Sequence, residues 1–401
     1  MENQPNYIRG IVIENVRCFG NTQWIYFTEN NQFEGKIAMW NVILGNNGTG
    51  KTTILRSITK LHYAFFENNQ PVFLETKHKE KEGTLALHAA DRSVVAIKIQ
   101  NFLLRENTII NANQDLPPIF GYGASRKIGT FGIAEEQDNF PRTLFSDEAT
   151  LLNAEDWLIQ AEYLSLKEGD KYKRRYEIIK DILQKLLKDE ISEFSIKTEN
   201  NTPKVFFKTH YGEVRLHDLS LGYKTLIAWV TDLARGLVEK YPDSINPLAE
   251  PAICLVDEID LHMHPQMQRN VIKFLRETFP KTQFICTAHS PLIVQSGADA
   301  NLILLRRNGE EVEVVNAVDD AKNWRVDQIL DSDLFENVSS YAPSVLQKVN
   351  KRREILLKDK PSKKDKAELS KLDASLDNLS VTESPEYLQA LKILSKVQKN
   401  G

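Results

Sequence analysis

Eight residues near the start of the chain, Gly45-Asn46-Asn47-Gly48-Thr49-Gly50-Lys51-Thr52, have the types and spacing of a phosphate-wrapping loop, G-x-x-x-x-G-K-[ST]. Glycines let backbone N–H groups turn inward around phosphate oxygens, and a following helix adds its partial positive charge. Lys51 is placed to reach the β- and γ-phosphates, and the Thr52 hydroxyl to hold Mg²⁺. The expected phosphate-binding set is Asn46, Asn47, Gly48, Thr49, Gly50, Lys51, Thr52 and Thr53. Far down the chain, Asp257-Glu258 follows the apolar run Ile253-Cys254-Leu255-Val256. An open α/β sheet carries its reactive groups at the carboxyl ends of its strands. Asp257 is expected to complete the Mg²⁺ shell through a water, and Glu258 to polarise the water that attacks the γ-phosphate. The chemistry in view is binding and hydrolysis of ATP with Mg²⁺.

These groups need particular supports. Asn41-Val42-Ile43-Leu44 reads as a buried strand entering the loop, and Thr53 onward as a helix to about Phe66. Residues 8–28 alternate like antiparallel strands, and Val94–Ile99 is the clearest strand before Pro117-Pro118. Helical spacing begins near Ala149 and is strongest from Tyr176 to Leu187; strand-like Phe194–Lys208 and Tyr211–Leu216 follow. A long helix is predicted over Gly222–Glu239 and another over Pro265–Phe279, between buried strands Ala252–Val256 and Gln283–Thr287. Ile303–Leu305 and Val312–Val315 read as a hairpin. After Tyr341 the chain turns to Lys, Glu, Ser and Leu at helical spacing, with Lys363-Lys364-Asp365-Lys366 placed between two helices of a charged hairpin.

The chain has 401 residues, 41% hydrophobic and 26% charged, enough for two or three domains with a sizeable core. A net charge of -4 removes any global electrostatic case for nucleic-acid binding and leaves local patches such as Lys171-Tyr172-Lys173-Arg174-Arg175. Cys18, Cys254 and Cys286 lack metal-ligand spacing and lie in apolar runs read as strands, so buried thiols in a reducing compartment are expected. No run approaches the ~20 apolar residues of a membrane span, and the start lacks a signal pattern. A soluble, cytoplasmic protein with no membrane partner is the expectation.

Further motifs carry a resemblance. Leu219-Ser220-Leu221-Gly222-Tyr223-Lys224 resembles a relaxed ABC-type ATPase signature, and Thr287-Ala288-His289-Ser290-Pro291 resembles the switch histidine of the same superfamily. Ile13–Phe19 resembles the opening of RecF-like and SMC-like ATPases, with Arg17 at a place near bound nucleotide. Asp257-Glu258-Ile259-Asp260-Leu261-His262-Met263-His264-Pro265 resembles the run of the overcoming-lysogenization-defect (OLD) ATPases. Val326–Phe335 looks like stand-alone members of this group in bacterial anti-phage systems, among them the Septu and PARIS ATPases. The resemblance implies an α/β ABC-type head: an antiparallel β lobe, a mostly parallel sheet carrying the phosphate loop, a helical signature lobe and a C-terminal helical hairpin. The corresponding divisions are 1–148, 149–240, 241–335 and 336–401. It also implies a head-to-tail dimer holding two ATP molecules, with Ser220 and Gly222 on the γ-phosphate of the opposite copy and His289 on the γ-phosphate.

The departures narrow the function. Gln137 and Gln114 are the candidates for the Mg²⁺-sensing glutamine of transporters, and Arg126 in Tyr122-Gly123-Ala124-Ser125-Arg126 has no assigned role. His262 and His264 lack a third ligand for a metal, and His264-Pro265 reads instead as a helix start near the dimer interface. OLD nucleases carry a metal-binding Toprim domain after the ATPase; the residues following His289 turn helical and charged, and Asp331-Ser332-Asp333 lacks a preceding apolar strand. The first reading is therefore the ATPase subunit of an anti-phage defence complex, dimerising around ATP and controlling a separately encoded effector, an HNH or Toprim nuclease. The alternative is a RecF-like ATPase that binds DNA in repair or maintenance. A transporter ATPase ranks third.

Overall fold

The computed structural model describes residues 5–29, 32–64, 76–100, 103–110, 115–129, 141–187, 191–210, 212–297, 299–316, 324–335, 338–339, 341–358 and 361–376. The chain divides into two compact units, residues 1–329 and 330–401.

In the first unit, an antiparallel sheet of order β2-β1-β4-β5-β6 is made by β1 (Ile8–Glu14), β2 (Gln23–Tyr26), β4 (Gly83–Ala89), β5 (Val94–Gln100) and β6 (Leu103–Ile110). A second sheet, of order β16-β15-β3-β14-β13-β7, contains β3 (Trp40–Gly45), β7 (Ile119–Tyr122), β13 (Ala252–Val256), β14 (Thr282–Thr287), β15 (Asn301–Asn308) and β16 (Glu311–Val315). Every neighbouring pair in it is parallel except β15 with β16. Strands β3, β13 and β14 are buried almost throughout because both faces are covered.

Helix α1 (Lys51–Ala64) lies between the sheets. Its Ile54, Leu55, Ile58 and Leu61 are fully buried, spaced to line one face, in a core shared with Ile11 and Leu85 of one sheet and Ile43 and Ile285 of the other. Burying four such side chains removes enough apolar surface to contribute roughly 6–12 kcal/mol before entropy is counted.

A helical lobe follows: a short pair β8 (Lys127–Ile128) and β9 (Thr150–Leu151), then α2 (Ala154–Lys167) and α3 (Asp170–Leu186). Asn153 caps α2 by accepting the N–H groups of Glu155 and Asp156. A meander of β10 (Ile191–Glu199), β11 (Thr202–Thr209) and β12 (Gly212–Arg215) leads to α4 (Leu221–Lys240), which is buried along most of its length. Tyr122 ties β7 to α4, its ring tilted at 44° against Trp229 and its hydroxyl donating to Asp232 at 3.0 Å. Helices α5 (Pro265–Thr278) and α6 (Pro291–Ser296) complete the parallel half, and α7 (Val326–Leu330) ends the unit. The arrangement matches the expected α/β class, with its antiparallel lobe, mostly parallel sheet and helical lobe.

In the second unit, α8 (Pro343–Leu357) and α9 (Lys363–Leu376) form an antiparallel pair tied by Lys351–Glu368, Arg352–Asp373 and Lys358–Asp365 ion pairs. The expected hairpin is present with one correction. Lys363–Lys366 is not a linker but the first turn of α9. Ser362 and Asp365 cap that turn reciprocally: the Asp365 N–H donates to Ser362 Oγ at 3.1 Å, and the Ser362 N–H donates to Asp365 Oδ2 at 2.8 Å. Cys18 is also corrected. It lies not in a strand but in a turn where Asn15 and Arg17 have φ of 49° and 50°.

Candidate functional site

Strands β3, β14 and β13 run parallel and side by side, so the phosphate loop, the Thr287–His289 segment and Asp257-Glu258 leave the same edge of the sheet. The loop turns at Gly48 and Gly50, with φ of 79° and 90° that side chains rarely adopt. A Cβ at Gly48 would meet nothing within 4 Å, so the crest of the loop faces open space. A Cβ at Gly50 would strike Cys18 Sγ at 2.5 Å and the Phe19 ring at 2.7 Å. The turn carrying Arg17 therefore backs the loop directly, while the Arg17 side chain is itself exposed. Asn46, Asn47 and Gly48 are exposed; Thr49 is buried and donates to Asn46 O at 2.8 Å; Thr53 is buried in α1.

Lys51 is 6% exposed and its Nζ donates to the carbonyls of Gly45 at 2.7 Å and Asn46 at 2.9 Å. Burial lowers its pKa, opposed by the charges of Asp257, Glu258 and Asp260. Thr52 Oγ1 donates to Asp257 Oδ2 at 2.7 Å. The other carboxylate oxygen accepts from Thr287 Oγ1 at 2.6 Å, and Thr287 Oγ1 accepts in turn from the Glu258 N–H at 2.7 Å. Glu258 is half-buried with φ of 49°, a left-handed conformation that costs a non-glycine residue roughly 1–2 kcal/mol.

Arg126 is 2% exposed and lies against the same turn, its Nη2 donating to Asp257 O at 2.6 Å and Glu258 O at 2.8 Å. Burial draws its pKa down to about 10, opposed first by Asp257. The His289 N–H meets both carboxylate oxygens of Asp260 at 3.2 Å, and His289 Nε2 is buried with no hydrogen-bond partner among the described residues.

The structure thus brings together Lys51, Thr52, Asp257 and Glu258, with His289 on the neighbouring strand end. Ser220 is exposed at the start of α4 and makes no side-chain capping bond; Gly222 sits beneath the His262 carbonyl, which a Cβ there would strike at 2.3 Å. His264 Nδ1 accepts from the Gln266 N–H and caps α5, the helix start expected of it. Among the described residues, no group of three His, Cys, Asp or Glu could hold a metal ion, His262 and His264 included. Gln114 and Gln137 lie outside the described residues. Asp331-Ser332-Asp333 occupies a turn leading into a short 3-10 segment at Asp333–Phe335.

Sequence reasoning missed Thr287 and Asp260 as supports. A hydroxyl residue at the carboxyl end of a buried strand was the available signal for Thr287, but its partner sits on another strand. The residues fit ATP and Mg²⁺. A threonine hydroxyl beside a carboxylate oxygen is a hard-oxygen donor pair, and an open glycine crest at the start of α1 suits phosphate.

Residues 105–295 match the family described as "AAA domain, putative AbiEii toxin, Type IV TA system". The Septu protein PtuA of Bacillus mycoides is 27% identical over 390 residues, covering 93% of this chain and 51% of that protein. "Retron Vc95 probable ATPase" of Vibrio cholerae is 36% identical over 140 residues, 34% of this chain and 25% of that protein. The SMC head domain from Thermotoga maritima superposes with a TM-score of 0.44 at 16% identity, over 78% of this chain and 99% of that one. The chain spans about half the length of the Septu relative. Among the described residues, no helix is long and apolar enough to cross a membrane. The share of the chain outside the Septu alignment is shorter than the stretch preceding the phosphate loop, so loop and acidic pair both fall within it. Both halves of the site therefore fall inside a stretch that resembles the Septu protein PtuA, and the matched family model spans the acidic pair and His289.

Proposed function

We propose that the chain binds ATP with Mg²⁺ at the carboxyl edge of its parallel sheet, hydrolyses it, and serves as the nucleotide-controlled subunit of an anti-phage defence complex. The observation that carries this reading is the chain of hydrogen bonds Thr52–Asp257–Thr287–Glu258, which joins the phosphate loop to the acidic turn. Thr52 and Asp257 would hold Mg²⁺, which when bound would supply positive charge to the phosphates. Lys51 exchanges its two carbonyl acceptors for phosphate oxygens. Glu258 accepts a proton from the attacking water. His289, whose Nε2 has no partner among the described residues, supplies a further donor to the γ-phosphate.

Two copies meet head to tail, each offering Ser220 and Gly222 to the nucleotide of the other. Ser220 is exposed and free of a capping role, which supports its use between chains. Because the γ-phosphate bridges both copies, its removal weakens the pair. The likeness to a Septu protein and to a retron ATPase supports a defence-associated ATPase; the effector it would control is proposed to be a separately encoded HNH or Toprim nuclease. The DNA-binding alternative draws less support. Arg174 already donates to the Ser244 and Ile245 carbonyls, and Arg175 packs over the Tyr172 ring.

The test has two parts. The purified chain should release phosphate from ATP and shift to dimer mass with ATP and Mg²⁺. Cells carrying the native locus should resist phage, and lose resistance with Lys51→Ala. A chain that neither binds nor hydrolyses ATP rules the reading out; intact resistance with Lys51→Ala rules out the defence role of the site.

A further inference from the structure

Arg126 holds its guanidinium among buried groups; Nη2 has partners, while Nε and Nη1 have none among the described residues. A buried cation with unsatisfied donors is destabilising relative to an apolar side chain of similar volume. A side chain kept at that cost calls for a role other than packing. Its two bonds go to consecutive main-chain carbonyls, those of Asp257 and Glu258, at 2.6 and 2.8 Å. These flank the Glu258 Cα, where the backbone is left-handed at φ of 49°. Such a conformation persists only where neighbours over-determine it. Thr287 fixes the Glu258 N–H from one side, and Arg126 fixes both carbonyls from the other. Arg126 is itself locked. Its own φ is 38°, and the chain approaches so closely at Gly123 that a Cβ there would lie 1.9 Å from Thr143 O.

We infer that Arg126 is a positioning residue for hydrolysis: by gripping the Asp257 and Glu258 carbonyls it holds the Glu258 carboxylate where it can take the proton of the attacking water. The inference rests on the reading of the chain as an ATPase. Arg126 does not touch nucleotide in this scheme, so ATP affinity is independent of it. A lysine retains one cation for the two carbonyls and should preserve part of the function; glutamine and alanine should not.

The experiment compares full-length wild type with Arg126→Gln and Arg126→Lys, and with Glu258→Gln alone and combined with Arg126→Gln. Circular dichroism checks the fold of each, and titration calorimetry with ATP checks binding. The expected result for Arg126→Gln is ATP affinity within about twofold of wild type and kcat lower by about tenfold or more, with KM unchanged. Arg126→Lys should recover at least a third of wild-type kcat. In the Glu258→Gln background, Arg126→Gln should lower kcat by less than twofold, because a residue acting through Glu258 has nothing left to position. A folded Arg126→Gln with wild-type kcat, or a further tenfold loss in the Glu258→Gln background, overturns the inference and leaves the ATPase reading intact. Loss of ATP binding in Arg126→Gln also overturns it, and where Arg126→Gln does not fold, a folded Arg126→Lys that keeps less than a third of wild-type kcat does the same. A wild-type chain that binds but never hydrolyses ATP overturns both.

Discussion

The Thr52 hydroxyl donates a 2.7 Å hydrogen bond to Asp257 Oδ2 across 205 positions of sequence. One residue opens the helix behind the phosphate loop and the other closes a buried strand, with a third strand between them. The two expected cation ligands are therefore already in register, and binding need not order them. That preorganisation lowers the entropy that nucleotide binding has to offset.

Lys51→Ala removes a cation anchored on the loop carbonyls. Charge-assisted hydrogen bonds contribute roughly 1.5–3 kcal/mol each. ATP affinity should fall by about 10²-fold or more in titration calorimetry, with little change in unfolding temperature; equal affinity would remove Lys51 from the site.

Glu258→Gln keeps the shape of the side chain and removes its basicity. ATP and Mg²⁺ binding should survive while turnover falls by about 10²-fold or more. Size-exclusion with light scattering should then show an ATP-bound dimer that outlasts that of the wild type. Wild-type turnover in this variant would exclude the proposed role.

Thr287→Val keeps the volume but leaves Asp257 Oδ1 and the Glu258 N–H without their shared partner. An unsatisfied buried group costs about 1–3 kcal/mol, so the urea midpoint should drop by that equivalent and turnover should fall with it. Thr287→Ser restores the hydroxyl and should recover most of both. A Thr287→Val protein as stable and active as wild type would show that these bonds carry little.

His62 is buried in α1 against the Pro117 carbonyl, and burial lowers its pKa from 6.5 to about 4. The unfolded chain takes up a proton at about pH 6.5 that the folded chain refuses until about pH 4. Stability linked to this group is whole above pH 6.5 and declines as pH falls, by about 3 kcal/mol on reaching pH 4. Replacing His62 by Leu should flatten that part of the urea stability profile. An unchanged slope between the two proteins would place the titration elsewhere.

Much of this was legible in the chain. Ile253–Val256 announces a buried parallel strand because no polar residue interrupts it, and the glycine spacing announces the loop because few other conformations tolerate it. The unread parts depend on contacts between distant segments. Arg126 could not be placed because its partners are carbonyls, which carry no residue identity. Cys18 sits among residues that favour strands, but Asn15 turns the chain, its side chain holding four backbone groups at His78, Lys81 and Glu82. The start of α9 is a different case. Ser362 and Asp365 have the spacing of a capping box, a signal outweighed by the charge run beside it.

The intervening strand β14 also sets a dimension. With β3 on one side and β13 on the other, the loop and the acidic turn stand two inter-strand spacings apart, roughly 10 Å. Backbone hydrogen bonds fix that width, and no side chain can alter it. The jaw of the site is thus a gauge cut in main chain: point substitutions around it are expected to change the rate of the proposed hydrolysis, while the span stays the same.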